Sequence, residues 1–380
     1  MKLDKKEIKN RYAETVSEVT NIAKDSSKKR ATLSDIRSYL SPETFENPNW
    51  KGIGLFLMNL TFFSIVMVSL YYAKSWYLIV LLEVLAGLTI SGLFIIGHDA
   101  AHGALFKSEK LNRFIGQLAF LPSLHAYSQW AYGHNRIHHG HTIKREADFV
   151  WSPVTIEEYK KMNLIQKLQH KLYWSFLGAG PYYMIEVWLK GMMIYNAPVK
   201  NSVKDRILIS VFGLSTALFA FYIGAGSGLD LQAGFWSFTK LWLLPFISWN
   251  YYIGLTVYVH HINPAISWKK HADWTPFYGQ VHGTINYHIP WFFNIVLLNI
   301  YIHLPHHVHM KIPCYNLRRA LEEMKKGYKD VIVERNTLFL DYLTSTSYCK
   351  LIDSETGEWH SYKSAREYST YKLSMACHVE

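Results

Sequence analysis

Hydrophobic residues are concentrated in four long blocks that are separated by polar and charged segments. A helix that crosses a membrane needs about 20 mostly apolar residues, because each residue adds only about 1.5 Å along the helix axis. The second block follows the first after a link of three residues, so the two are expected to form an antiparallel hairpin. The predicted spans are Gly52–Tyr72, Trp76–Gly97, Ile207–Gly226 and Gly234–Val259, with a kink expected at Pro245.

Three further apolar runs lack the length or the continuity of a span. Phe114–Leu124 and Pro290–Ile302 are too short, and Leu172–Leu189 is aromatic and interrupted by glycines and a proline. We expect such segments to lie in the membrane interface or to re-enter the membrane. The last part of the chain is polar; Asn316–Lys326 is predicted to be helical, and Val331–Val333 has the pattern of a strand.

The basic residues give the predicted spans an orientation. The formal net charge is +11, and all but three of the 40 lysines and arginines lie in the segments Met1–Lys51, His98–Asp205 and His260–Glu380. Cytoplasmic segments of membrane proteins carry such an excess of positive charge, and an anionic inner leaflet accounts for it better than nucleic acid does. Four spans with this charge distribution place both termini in the cytoplasm, in a bacterial inner membrane or the endoplasmic reticulum.

The same pattern divides the chain into three parts. Residues 1–50 form a cytoplasmic N-terminal lead-in, residues 51–326 a membrane domain, and residues 327–380 a cytoplasmic tail. The predicted fold class is all-α: a polytopic membrane protein with about four transmembrane helices and a helical cap on the cytoplasmic side. The three cysteines form no CxxC motif, and we assign them no role.

Three histidine-rich motifs lie beside the apolar runs. They are His98-Asp-Ala-Ala-His102, His134-Asn-Arg-Ile-His138-His139 and His303-Leu-Pro-His306-His307. Side chains at positions i and i+4 share one face of a helix, so each motif can direct its imidazoles at a common site. A ninth histidine, His261, follows the fourth span, and the charge pattern places all nine on the cytoplasmic side.

Nine histidines on one side of the membrane predict a metal centre. Without a metal, each buried imidazole would need its own hydrogen-bond partners. Imidazole binds Fe, Cu, Zn and Ni, and two metals with four or five ligands each would use the whole set. A zinc hydrolase is an alternative because the first motif has an acid in the position of the HExxH glutamate, but a catalytic zinc site uses only about three protein ligands. An all-histidine di-iron centre accounts for more of the histidines.

The motifs resemble those of the membrane fatty acid desaturase superfamily, in particular the acyl-lipid branch that contains the omega-6 and omega-3 desaturases. The likeness covers about residues 32–326. It includes HDAAHG, HNRIHHGHT and HLPHH, the sequence YVHH that ends at His261, and the segment Lys311–Leu317. This breadth makes the likeness more specific than any one histidine motif.

The resemblance implies an O2-dependent enzyme that introduces a cis double bond into a long acyl chain at a non-haem di-iron centre. It also implies an external electron donor, of the ferredoxin or cytochrome b5 type, that docks on the basic cytoplasmic face. Three polar side chains are candidates to hydrogen-bond the imidazole nitrogens that do not bind the metal: Asp99, Asp148 and Asn299. The expected metal ligands are His98, His102, His134, His138, His139, His261, His303, His306 and His307.

The chain departs from the family pattern at a few positions, and these leave alternatives open. Ala100 and Ala101 stand where omega-6 members often have Cys-Gly, and His260 stands where Gln is common. His260 is therefore an alternative to His261 as a ligand. Carotenoid ketolases have a motif like HDAAHG, so a di-iron ketolase or hydroxylase acting on a carotenoid or another lipid is the first alternative function, ahead of a membrane zinc hydrolase and a non-enzymatic binding protein.

Overall fold

The computed structural model describes residues 31–270 and 272–368. These residues are mainly helical, as the apolar pattern predicts, and the described strands form only two small two-stranded sheets. Residues 1–30 of the predicted lead-in and residues 369–380 of the predicted tail lie outside the described part. The α-helices are α1 (Leu33–Arg37), α2 (Asn49–Tyr72), α3 (Trp76–Ala101), α4 (Glu109–Phe120), α5 (Tyr127–Ala131), α6 (His139–His141), α7 (Ile156–Lys161), α8 (Leu164–Tyr173), α9 (Ala179–Tyr182), α10 (Ser202–Ala225), α11 (Leu231–Phe238), α12 (Leu244–His261), α13 (Trp291–Leu297), α14 (Leu304–Val308), α15 (Leu317–Tyr328) and α16 (Leu338–Tyr348).

In the described part of the chain, four segments are π-helical and three are short 3-10 helices. The π-helical segments are Tyr132–His138, Tyr183–Ile194, Thr239–Leu243 and Tyr278–His282, and the 3-10 helices are Pro42–Phe45, Cys314–Asn316 and Lys329–Val331. The strands β1 (Asn286–Tyr287) and β2 (Glu334–Arg335) pair in parallel, and β3 (Leu351–Ile352) and β4 (Trp359–His360) pair antiparallel. Each strand contributes only two residues, so helix packing determines the fold.

Among the described residues, three helices are long and apolar enough to cross a membrane: α2, α3 and α10. The first two are joined by three residues, as predicted for a hairpin. Most of α2 is exposed and apolar, and Leu57, Val68 and Tyr72 are each more than half exposed. In contrast, α3 is buried over most of its length and packs against α2, α4 and α12. The second predicted span is therefore the central helix of the bundle.

The fourth predicted span is helical throughout, although its helix is not of one type. Helix α11 leads through the π-helical segment Thr239–Leu243 into α12, which ends at His261. The π-helical segment ends two residues before Pro245. Proline has no backbone N–H, so one hydrogen bond of the helix is missing at this position. The irregularity thus lies next to the position where the sequence predicts a kink.

The three further apolar runs contain helices that are too short to cross a membrane. Helix α4 is amphipathic, with Phe114 and Leu118 exposed and Ile115 and Phe120 buried. Helix α13 exposes most of Trp291. The third run contains α9 and the π-helical segment that follows it. Exposed aromatic and aliphatic side chains on short helices suit the membrane interface.

The C-terminal part of the chain packs back onto the N-terminal lead-in. Helix α15 confirms the helix predicted over Asn316–Lys326. Its Glu323 carboxylate accepts hydrogen bonds of 2.7–2.9 Å from the N–H and hydroxyl of Ser41 and from the hydroxyl of Thr44. The strand predicted at Val331–Val333 is displaced towards the C-terminus, because only the last carbonyl of that stretch reaches β1 and the pairing continues into β2.

Candidate metal centre

The first histidine motif ends the central helix. Helix α3 stops at Ala101, and the N–H of the next residue, His102, donates to the carbonyl of His98. The two imidazoles leave the helix on one face, with ring centres 4.6 Å apart. Both side chains are buried. The i, i+4 spacing thus presents two imidazoles side by side at the end of a well-packed helix.

The second motif lies on the π-helical segment Tyr132–His138. In a π-helix the N–H of residue i+5 donates to the carbonyl of residue i, and the N–H of His139 donates to the carbonyl of His134 in this way. The wider turn brings the Nε2 atoms of these two residues within 3.2 Å. His138 instead faces α12, with its ring centre 4.8 Å from that of His261. The two adjacent histidines of this motif therefore serve different neighbours.

The short helix α14 carries the third motif. Before it, the chain turns through Leu298 and Asn299, whose φ angles of 47° and 60° lie in the left-handed region. The Oδ1 atom of Asn286 accepts the N–H groups of His303 and of the next residue, each at 2.9 Å. These contacts orient the start of the helix, so that His303 and His307 face the site with Nε2 atoms 3.0 Å apart.

The three motifs and the end of α12 assemble two neighbouring clusters of imidazoles. The first cluster contains His98, His102, His134 and His306, and the second contains His138, His261 and His307. Within each group, one ring nitrogen of every residue lies within 4.8 Å of the others. His139 joins the first cluster because its Nε2 is 3.0 Å from that of His306, and His303 joins the second through His307. All nine histidines singled out in the sequence come together.

Two carboxylates bind the Nδ1 atoms of imidazoles in the clusters. The Nδ1 atom of His98 lies 3.1 Å from an oxygen of Asp99, and the Nδ1 atom of His138 lies 3.1 Å from an oxygen of Asp148. All four side chains are buried. A carboxylate at Nδ1 fixes the ring orientation and keeps the proton on that nitrogen, which leaves the Nε2 lone pair for a metal.

Two other supports come from the π-helical segment Tyr278–His282 and the glycine that follows it, which contain no histidine motif. The Gln280 Oε1 atom accepts a hydrogen bond from Nδ1 of His307 at 2.8 Å, and its Nε2 donates to the carbonyl of His139. The carbonyl of Gly283 accepts from Nδ1 of His261, also at 2.8 Å. Neither residue was predictable from the sequence, because a lone Gln and a backbone carbonyl carry no local signal of metal binding.

Two residues singled out in the sequence have other surroundings. The side-chain amide of Asn299 donates to the carbonyl of Cys314 at 3.3 Å, and the N–H of Cys314 in turn donates to Asp99, the partner of His98. His260 is fully buried, donates from Nδ1 to a backbone carbonyl and stacks on His303 at a ring-centre distance of 4.0 Å. The member of the second cluster is His261, not His260.

The unpaired ring nitrogens suit metal ions. Burial, with a smaller contribution from neighbouring imidazoles, lowers the pKa of His134, His139 and His307 well below the usual range. These rings are therefore neutral, which is the form that binds a metal. Both ring nitrogens of His102 and the Nε2 atom of His261 are buried without a hydrogen-bond partner in the described part of the chain. Because such orphaned atoms are costly, and because imidazole suits iron, the residues fit an iron centre.

Two cavities of different character reach the clusters. A narrow cavity of about 70 Å³ is lined by histidines of both clusters and by apolar side chains such as Phe94 and Ile253. Another cavity, of about 320 Å³, is lined by three cluster histidines and by the exposed residues Arg37 and Lys311. The histidine clusters are thus reached by one cavity with an apolar lining and by another with basic residues in its lining.

Comparison with known proteins connects this geometry to a family. The sequence profile of the fatty acid desaturase family matches residues 74–339. The chloroplastic omega-6 fatty acid desaturase of Arabidopsis thaliana is 31% identical over 303 residues, which cover 78% of this chain and 64% of the relative. The sn-1 oleoyl-lipid 12-desaturase of Synechocystis sp. is 28% identical over 329 residues, 86% of this chain and 90% of the relative. The sn-1 acyl-lipid omega-3 desaturase (ferredoxin) of Nostoc sp. is 28% identical over 309 residues, 80% and 83% of the two chains.

These matches favour a desaturase over the ketolase and the zinc hydrolase. The histidine clusters are consistent with the non-haem iron that the family implies, and the long apolar helices are consistent with a membrane protein. The chain therefore belongs to the fatty acid desaturase family, and it is an acyl-lipid desaturase.

Proposed function

We propose that the protein introduces a cis double bond into a long, lipid-bound acyl chain, with O2 as co-substrate, at a non-haem di-iron centre. The observation that carries the proposal is the pair of adjacent, buried imidazole clusters. The names of two relatives, an oleoyl-lipid 12-desaturase and an acyl-lipid omega-3 desaturase, support a lipid-bound substrate.

Nine imidazoles are the proposed ligands of the two irons. They are His98, His102, His134, His139 and His306 in the first cluster, and His138, His261, His303 and His307 in the second. Iron bound there would supply the O2-dependent chemistry that removes hydrogen from two neighbouring methylenes. The chain itself holds the donors in place: the carboxylates of Asp99 and Asp148 and the amide of Gln280 bind Nδ1 atoms and direct the opposite nitrogens inward.

The apolar cavity is the proposed site of the acyl chain. A methylene offers no group for hydrogen bonding, so only shape and apolar contact can position it. Side chains such as Phe94, Val187 and Ile253 provide that contact beside the histidines. They also exclude water from the reacting carbons, which protects the reaction from side products.

The proposed membrane arrangement has four spans: α2, α3, α10 and the helical stretch from α11 to α12. In this arrangement the histidine motifs and both termini lie on the cytoplasmic side, where the excess of basic residues supports their placement. Helices α1, α14 and α15 pack against one another and would form the cytoplasmic cap. The division into a lead-in (residues 1–50), a membrane domain (residues 51–326) and a tail (residues 327–380) follows from this arrangement.

An external electron donor is the proposed partner on the charged side. The cavity lined by Arg37 and Lys311 leads towards histidines of both clusters, and a basic surface attracts an acidic protein. The name of the omega-3 relative includes ferredoxin, which makes a ferredoxin-type protein the first candidate and a cytochrome b5-type protein the second.

Expression in a host that lacks the activity tests the proposal. Analysis of fatty-acid methyl esters should show a new unsaturated acyl chain with the wild-type protein and none with His306→Ala. The purified wild type should contain iron without zinc. Equal product from His306→Ala, or zinc in place of iron, would contradict the proposed centre.

A further inference from the structure

The apolar cavity beside the histidine clusters is too narrow for an acyl chain as it stands. Its volume of about 70 Å³ has room for a few water molecules, whereas pockets for organic ligands measure about 300–1,000 Å³. Some of its lining residues are buried, including Ser91 and Leu297, whereas Gly133, Phe149 and Gly191 are half-buried. Part of the wall must move for a chain to bind, and the half-buried residues are the part of the wall that is nearer the surface.

Among these half-buried residues, the ring of Phe149 lies between the two glycines. A Cβ atom added at Gly133 would lie 3.3 Å from Cζ of the ring, and one added at Gly191 would lie 3.5 Å from its Cε2. The ring therefore reaches the backbones of the two π-helical segments, Tyr132–His138 and Tyr183–Ile194, and fills the gap between them. Neither glycine has a side chain that would stop the ring from turning.

Hydrogen bonds hold the backbone at Gly191, on one side of the ring. The Gln129 side chain donates to the carbonyls of Gly191 and Tyr195 at 3.1 and 2.7 Å. Its Oε1 accepts from the Ser202 hydroxyl at 2.6 Å, and Gln129 itself is buried. These bonds tie the end of the segment Tyr183–Ile194 to its surroundings, so its backbone is a poor candidate for the part that moves.

The backbone of Phe149 is fixed as well. The carboxylate of its neighbour Asp148 accepts hydrogen bonds from the N–H of Ile143 at 3.0 Å and from the N–H of Val150 at 3.2 Å, in addition to its contact with His138. The chain on both sides of Phe149 is thus tied to the second cluster. The side-chain torsions of Phe149 are therefore free to change where the backbone on both sides is held.

We propose that the ring of Phe149 is the gate through which the acyl chain reaches the clusters, and that its bulk selects unbranched chains. The inference rests on the proposed function, because it takes this cavity as the acyl site. The helical segment beside the ring exposes Leu189 and Ile194, which gives the gate an apolar, lipid-facing rim. When the ring rotates away, it leaves a gap between the backbones of the two glycines. This gap suits one unbranched polymethylene chain, whereas a methyl-branched chain needs a wider gap.

Two substitutions of the ring test the gate. An expression host receives a linear acyl chain and a methyl-branched chain of the same length together. Phe149→Ala should raise the ratio of branched to linear product about tenfold, the usual effect of one methylene on a tight pocket, and Phe149→Trp should reduce both products. Iron content should match the wild type, since the ligands and Asp148 are unchanged. Phe176→Ala is the matched control, because Phe176 is exposed and lies outside the cavity; its ring contacts those of Tyr342 and Phe339, and its carbonyl bond with Tyr342 survives the substitution.

A substitution at Gly191, beside the ring, distinguishes an effect on the gate from a folding defect in the Phe149 variants. Gly191→Ala places a methyl group in ordinary contact with the resting ring but takes away room into which the ring turns, so conversion of both chains should fall while iron content stays constant. An unchanged product ratio in Phe149→Ala, loss of iron in that variant, or full conversion by Gly191→Ala would each overturn the gate. Absence of product from the wild-type protein would instead contradict the proposed function.

Discussion

Helices α2 and α3 are neighbours in the chain and nearly equal in hydropathy, but they have opposite roles in the fold. Their most apolar windows have mean hydropathies of 2.1 and 2.5, yet 11% of the first window is buried and 78% of the second. Hydropathy measures the tendency of a segment to leave water. Hydropathy does not depend on whether lipid or protein replaces the water. It therefore identifies both spans but does not show which of them is the central helix of the bundle.

The glycines of the two helices show the same difference. A Cβ atom at Gly92 of α3 would lie 2.1 Å from Oδ1 of Asn59, while one at Gly54 of α2 would have nothing within 4 Å. Helix α3 is enclosed by other helices, and its backbone is therefore held firmly where it reaches His98. A rigid, enclosed helix is the better support for metal ligands, which must keep their geometry closely.

The largest effect is expected at the end of α3. His98→Ala removes a proposed ligand, and desaturation should fall by at least about 100-fold, beyond the losses found when only a supporting contact is removed. Tyr72→Ala, at the exposed end of α2, should leave activity near the wild-type level. Methyl-ester analysis and iron content of both variants measure the contrast, and substantial product from His98→Ala would remove this residue from the ligand set.

A weaker effect is expected one residue further along α3. Asp99→Asn keeps the size of the side chain but weakens its hold on Nδ1 of His98, so iron affinity should fall about 10–100-fold. Competition with a chelator measures that affinity. Asp230→Asn is the control, because Asp230 only caps α11 through the N–H of Ala233 and Asn caps a helix as well as Asp does. Equal iron affinity in both variants would show that Asp99 does not support the centre.

The glycine contrast predicts a difference in stability. Gly92→Ala should destabilise the protein by about 1–3 kcal/mol, because an added methyl group overfills a packed interface. Gly54→Ala should stabilise the protein by up to about 1 kcal/mol, since Ala favours a helix over Gly and meets no neighbour. Thermal unfolding in detergent micelles separates the two, and equal shifts would mean that α3 is not the enclosed helix.

The smallest effect is expected just beyond the third motif. His309 is half-buried, its ring contacts that of Phe45, and it lines the basic cavity but belongs to neither cluster. His309→Ala should change activity by less than about threefold, as substitutions away from buried networks usually do. His307→Ala should abolish activity in the same assay. A large loss with His309→Ala would extend the functional set beyond the nine histidines.

The parts of the structure that were predictable arise from local patterns. Apolar runs of sufficient length predicted α2, α3 and α10, and the helix near Asn316–Lys326 was recognisable from its own residues. The strand near Val331 was misplaced, because two paired residues depend on where β1 happens to lie rather than on their own propensity. The π-helical turn of the second motif was also not predicted, although its i, i+5 spacing places His134 and His139 together.

For the candidate site, the sequence by itself determined the nine histidines, their i, i+4 spacings and the apolar segments that carry them, because these are properties of residues close together in the chain. The tertiary structure alone decided how the imidazoles divide into two clusters, why His261 rather than His260 is a member, and that Gln280 and Gly283 hold their partners. The physical reason is that each of these features is a contact between distant segments. Such contacts form only when α3, α12 and α14 pack against the second motif.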